Sequence, residues 1–148
     1  MADTALTDMK GRFAELLNDG ADFQVIPLSA KDTDGVFEDG YASASITNIL
    51  GGGAVEQTGS TWVRKTHTNG NITSSADDTA NLWRVVLDAD DTWSAVLASN
   101  DVVALLIAEV GSGDGTDRVI GQWDFAVTTD GNDVTANYDQ VNGIWTAA

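Results

Sequence analysis

Clusters of Gly, Asp and Asn punctuate this chain from Asp22 onward and leave room only for short extended segments between them. Asp34-Gly35, Asp39-Gly40, Gly51-Gly52-Gly53, Asn69-Gly70-Asn71, Asp88 to Asp91, Gly111 to Asp117 and Thr129 to Asn132 all supply turn chemistry. The intervening segments carry β-branched and aromatic residues, which suit a pleated, half-buried surface. Turn signals recurring this way predict a mainly β fold, a sandwich or flattened barrel, behind one short N-terminal helix.

That helix is expected over Thr4 to Asn18, where Leu6, Met9, Phe13, Leu16 and Leu17 recur at helical spacing. Thr4 or Asp3 caps its start, and Asn18-Asp19-Gly20 ends it. Its apolar stripe needs a surface, either this domain's own sheet or a neighbouring subunit. With 148 residues the chain reads as one folded unit. Residues 1–20 form the helix, packed on the domain or on a partner, and residues 21–148 a single β-rich domain.

Strands are expected over Phe23 to Leu28, Tyr41 to Ile49, Ser60 to Thr68, Leu82 to Leu87 and Arg118 to Val127. Pro27 implies an edge or a strand end, because proline donates nothing to a ladder. Trp93 to Ala98 reads as a short strand or a helical turn. Val102 to Val110 is a continuous apolar run, a central strand or a buried helix segment, and its length and the following Gly/Asp loop favour strand. Thr129 to Asn132 is a hairpin turn with Val134 to Tyr138 returning from it, and Gly143 to Ala147 is a last short strand.

Charge narrows the partners. Lys and Arg number 7 against 23 Asp and Glu, for a net charge of −16. Nucleic acid is a poor partner, since phosphate binding needs a basic face to release counterions. An anionic membrane surface is equally unattractive. Most of the acids are Asp, a turn and cap residue, so the plain reading is a solvated, self-repelling surface. No stretch reaches the roughly 18 apolar residues of a membrane span, and the opening MADTALTDMK has no basic start or apolar run of a signal peptide. The expectation is synthesis in the cytoplasm, with residence there or in a larger particle.

Candidate chemistry is sparse. Cysteine is absent, so there is no disulfide and no thiolate nucleophile or metal ligand. His67 is the one histidine and lies in Arg64-Lys65-Thr66-His67 beside a turn, where a surface residue is a better reading than a general base. Neither a nucleophile elbow nor a phosphate-binding glycine loop occurs. No catalytic residues, no metal ligands and no cofactor are assigned. The acidic loop Asp32 to Asp39 and the group Asp88, Asp90 and Asp91 offer the hard oxygens calcium prefers. The sixth-position glycine of an EF-hand loop would fall on Phe37, however, and ordinary turn aspartates are the default. Trp62, Trp83, Trp93, Trp123 and Trp145 each sit in an apolar stretch, which favours core or subunit interface over an exposed sugar-stacking platform.

In order and texture the chain resembles the small structural proteins of tailed bacteriophages, which open on a short helix and continue as a β-rich domain. The pieces that carry the likeness are Asp22–Leu28, the acidic loop Asp32–Asp39, the step Gly40-Tyr41-Ala42, the late apolar strand Val102–Val110, the loop Gly111–Asp117 and the closing segment Val119–Thr146. The resemblance implies a non-enzymatic virion protein, foremost a capsid decoration (cement) protein at capsid-subunit junctions, with a tail or fibre-attachment component as the alternative. It implies self-association, as a homotrimer, and contact with the major capsid protein or another virion protein. Leu6, Met9, Phe13 and Leu16, and then Ile144 and Trp145, are the expected interface residues. A carbohydrate- or receptor-binding β-module is the competing reading.

Overall fold

The structure, a computed structural model, describes residues 4–5, 20–32, 45–77, 82–139 and 145–147. The fold is mainly β, with antiparallel pairing throughout and a sandwich-like stacking of sheets that do not close into a barrel. The strands are β1 (Thr4–Ala5), β2 (Phe23–Ala30), β3 (Val55–Glu56), β4 (Lys65–His67), β5 (Ile72–Asp77), β6 (Leu82–Leu87), β7 (Asp91–Trp93), β8 (Val102–Glu109), β9 (Arg118–Val127), β10 (Val134–Ala136) and β11 (Trp145–Ala147). One helix is described, α1 (Ile46–Gly51), and a 3-10 turn covers Asn69–Asn71. Among the described residues no helix is long and apolar enough to cross a membrane.

The main sheet runs β1-β9-β8-β2-β3, with β4 also paired to β2. Strands β2 and β8 form its centre, in a register that sets Val25 opposite Ile107 and Ile26 opposite Leu106. Every residue from Phe23 to Leu28 is buried, and so is every residue from Ala104 to Ala108. Successive side chains of a strand point to opposite faces, so this sheet is covered on both. That double cover explains why Val102–Val110 reads as unbroken apolar sequence rather than an alternation.

Pro27 lies inside β2, not at an edge or an end. Its carbonyl accepts from the Gln57 amide at 2.9 Å, on the side away from β8. On that side β4 covers Phe23 to Val25 and β3 takes over at Leu28 and Ala30. A residue's N–H and C=O point the same way in an antiparallel strand, so the missing N–H faces the gap between β3 and β4.

Other segments depart from the sequence reading, and of the expected strand Ser60 to Thr68 only Lys65–His67 pairs, as β4. The expected strand Tyr41 to Ile49 is helical from Ile46: Ser45 caps α1 with its hydroxyl 3.2 Å from the Asn48 amide, and Ile46 and Ile49 are buried one turn apart. The turn at Thr129 to Asn132 does not close a β9–β10 hairpin. Strand β10 pairs instead with β7, Val134 opposite Trp93, because the turn is held to the segment following β7. The Gly131 amide donates to the Val96 carbonyl at 2.8 Å, the Val96 amide donates to Asn132 at 3.0 Å, and Gly131 takes the left-handed φ of 98° this needs. Thr4 and Ala5, expected to start a helix, pair with Gln122 and Gly121 of β9; the rest of that expected helix lies outside the described residues.

Two smaller sheets complete the fold, β10-β7 and β11-β6-β5. Val85 and Leu87 of β6 and Trp93 of β7 join the apolar core of Phe23, Ile26, Leu106 and Ile107.

Candidate functional site

Two polar clusters sit on opposite faces of the main sheet. In β4, Lys65 lies opposite Val25 and His67 opposite Phe23, so these two side chains share one face. Thr66 lies opposite Gln24, on the other face, where Arg64 meets Gln24. The sequence Arg64-Lys65-Thr66-His67 thus sends its cations to two different sites by strand alternation alone.

On the first face the β7–β10 ribbon lies over β4. His67 is buried at 5 % exposure, which corrects the expectation of a surface histidine. Its Nε2 is 3.1 Å from Oδ2 of Asp91, itself buried, and the Tyr138 hydroxyl donates to the same oxygen at 2.7 Å. The His67 and Tyr138 rings meet edge to face at 5.8 Å. Burial first, and then the charge and hydrogen bond of Asp91 with the charge of Asp90, push the Tyr138 phenol well above the usual tyrosine range. Lys65 ties the same two layers together: its Nζ donates to the Thr92 carbonyl at 2.8 Å and lies 5.5 Å over the Trp93 ring. A carboxylate beside a histidine can orient an imidazole for proton transfer. His67 contacts both Asp91 and Tyr138, an arrangement that fastens one sheet to another.

The second cluster centres on Arg64. Its Nε and Nη2 grip Glu56 at 2.8 and 2.6 Å, and its Nη1 and Nη2 grip Asp114 at 2.5 and 2.8 Å. Nη1 also reaches the Gln24 side-chain oxygen at 3.5 Å. Gln24 in turn donates to Oδ2 of buried Asp117. The other oxygen of Asp117 accepts from the Gly111 and Gly113 amides at 2.7 and 3.2 Å, closing the loop on itself. The hydrogen bonds of Arg64 hold the Asp114 carboxyl below its ordinary range, and the two carboxylates push the guanidinium still further into its charged form.

The same loop caps α1. The Ile46 amide donates to the Asp117 carbonyl at 3.3 Å, and the Thr47 amide to the Asp114 carbonyl at 3.1 Å. With the Ser45 hydroxyl on Asn48, the first amides of the helix are all paired. A chain of contacts therefore runs from β3 through Arg64 and the Gly111–Asp117 loop to α1.

The tryptophans divide. Trp62 and Trp93 are buried at 2 % and 1 % exposure with ring centroids 4.8 Å apart. Their indole N–H groups donate to the carbonyls of Asn100 and Val63, at 2.7 and 2.8 Å. Trp123 is half-buried, and its ring crosses Gly121 so closely that a Cβ there would stand 2.4 Å from it. Trp62 and Trp93 are core residues and offer no face to a sugar ring. The side chains of Trp83 and Trp145 lie outside the described set, although both residues pair in the β11-β6-β5 sheet.

Of the expected interface residues, Leu6, Met9, Phe13, Leu16 and Ile144 lie outside the described residues, and Trp145 opens β11 opposite Val85. Of the candidate calcium ligands, Asp88 accepts from the Thr73 hydroxyl at 3.1 Å and Asp90 from the Tyr138 amide at 2.8 Å. Acidic loop residues 33–39 are outside the described set. The sequence marks none of Gln24, Glu56, Asp114, Asp117 and Tyr138 as site residues, and it marks Asp91 only as a candidate calcium ligand, not as the partner of His67. In a chain with 23 acids no single carboxylate stands out, and only the scarce cations Arg64 and Lys65 could have drawn attention to their partners. Compared with family models, curated proteins and solved structures, the chain gave no match.

Proposed function

We propose that this chain is a non-enzymatic structural protein of a virus particle, a capsid decoration protein that self-associates and braces the shell where capsid subunits meet. The observation that carries the reading is where the strong polar side chains go. Arg64, Lys65, His67, Asp91, Asp114, Asp117 and Tyr138 all bond within the chain, fastening loops and sheets to one another. Charged groups used this way stiffen a domain. Such stiffness suits a protein that must hold its shape under load. The order of elements that resembles small phage structural proteins points the same way, and so does a net charge of −16, which disfavours adsorption to nucleic acid.

Molar mass by light scattering, followed by co-sedimentation with DNA-free capsids of the encoding virus, tests it. The expected result is a trimer that binds capsids saturably, with Phe13→Asp lowering both trimer fraction and occupancy. A monomer that ignores capsids would overturn the reading, and binding to a glycan panel would replace it with a receptor-binding module. Unchanged assembly in Phe13→Asp would remove the N-terminal segment from the interface.

A further inference from the structure

No further inference is drawn: the strongest candidate, the exposed apolar residues Val63 and Leu97 on neighbouring loops beside Ser60, Ala95 and Ser99 in the left-handed region, is an unpartnered surface patch, and nothing in the structure shows what covers it.

Discussion

Arg64 presents five donors in a rigid planar fork, and the fold spends them on Glu56, Asp114 and Gln24. Lysine has one ammonium centre and cannot hold two carboxylates in that geometry. Arg64→Met should therefore cost about 1–3 kcal/mol, as two partly exposed carboxylates lose charged hydrogen bonds, and Arg64→Lys should recover only part of it. Chemical denaturation at neutral pH measures both. The pH dependence follows from Asp114, whose folded-state pKa is depressed. Its contribution is present above the ordinary aspartate value of 3.8 and is lost as pH falls through the lower folded value. The gap between wild type and Arg64→Met should narrow below that point. Tyr138 behaves oppositely. Its folded pKa is raised, so its contribution is complete below the ordinary value of 10 and is lost as pH rises beyond it. Tyr138→Phe should cost about 1.5–3 kcal/mol at neutral pH, by removing a hydrogen bond to a carboxylate. It should also flatten the alkaline loss of stability expected of wild type, measured by denaturation between neutral pH and pH values above 10. At this scale the sequence showed little. It marked His67 as a lone histidine, but burial of His67 depends on a ribbon whose residues lie far along the chain at Asp91 and Tyr138.

Elements were legible where local pattern and burial agree. Strand β6 matches its expected limits, Leu82 to Leu87, and β8 fills nearly all of Val102 to Val110, since a long apolar run bounded by turn residues has few other uses. Helix α1 departs from its local pattern because Ile46 and Thr47 favour strands by propensity, while the signals for helix are a serine cap and a loop that reaches it from Asp114 and Asp117. Only the serine is local. Ser45→Ala should accordingly destabilise the protein by about 1 kcal/mol, and Ser45→Asp should retain most of that, by urea denaturation with unchanged m-value. A loss well under that figure would mean that the loop carbonyls alone hold the first turn. The β9–β10 connection shows the complementary limit: Thr129 to Asn132 has the residues of a tight turn. The partner of the strand that follows is nevertheless chosen by Val96, Leu97 and Asp101, which bind the turn from elsewhere.

For the whole molecule, the excess of 23 acids over 7 cations sets long-range repulsion against the local pairs just described. The two respond to salt with opposite signs. Screening weakens the ties of Arg64 to Glu56 and Asp114, which lowers stability, and it weakens the repulsion among all the remaining carboxylates, which raises it. The pairs are few and close, with N–O distances of 2.5 to 2.8 Å, and contacts that short and partly buried are screened least. The repulsion acts across solvent over longer distances and is screened most. Thermal stability should therefore rise as NaCl increases from roughly 10 mM, where the Debye length is about 30 Å, to roughly 1 M, where it is about 3 Å. Each kcal/mol recovered should lift Tm by roughly 2–4 °C at this chain length. Chloride is the right salt, because sulfate stabilises folded proteins by exclusion whatever their charge. The comparison that separates the two contributions is Arg64→Met, which removes the favourable pairs and, by deleting one cation, makes the net charge one unit more negative than −16. Its Tm should start lower than that of wild type and climb more steeply with NaCl, as followed by circular dichroism. A wild-type Tm that falls with salt would reverse the balance, making the local ties of Arg64 the larger electrostatic contribution to the fold.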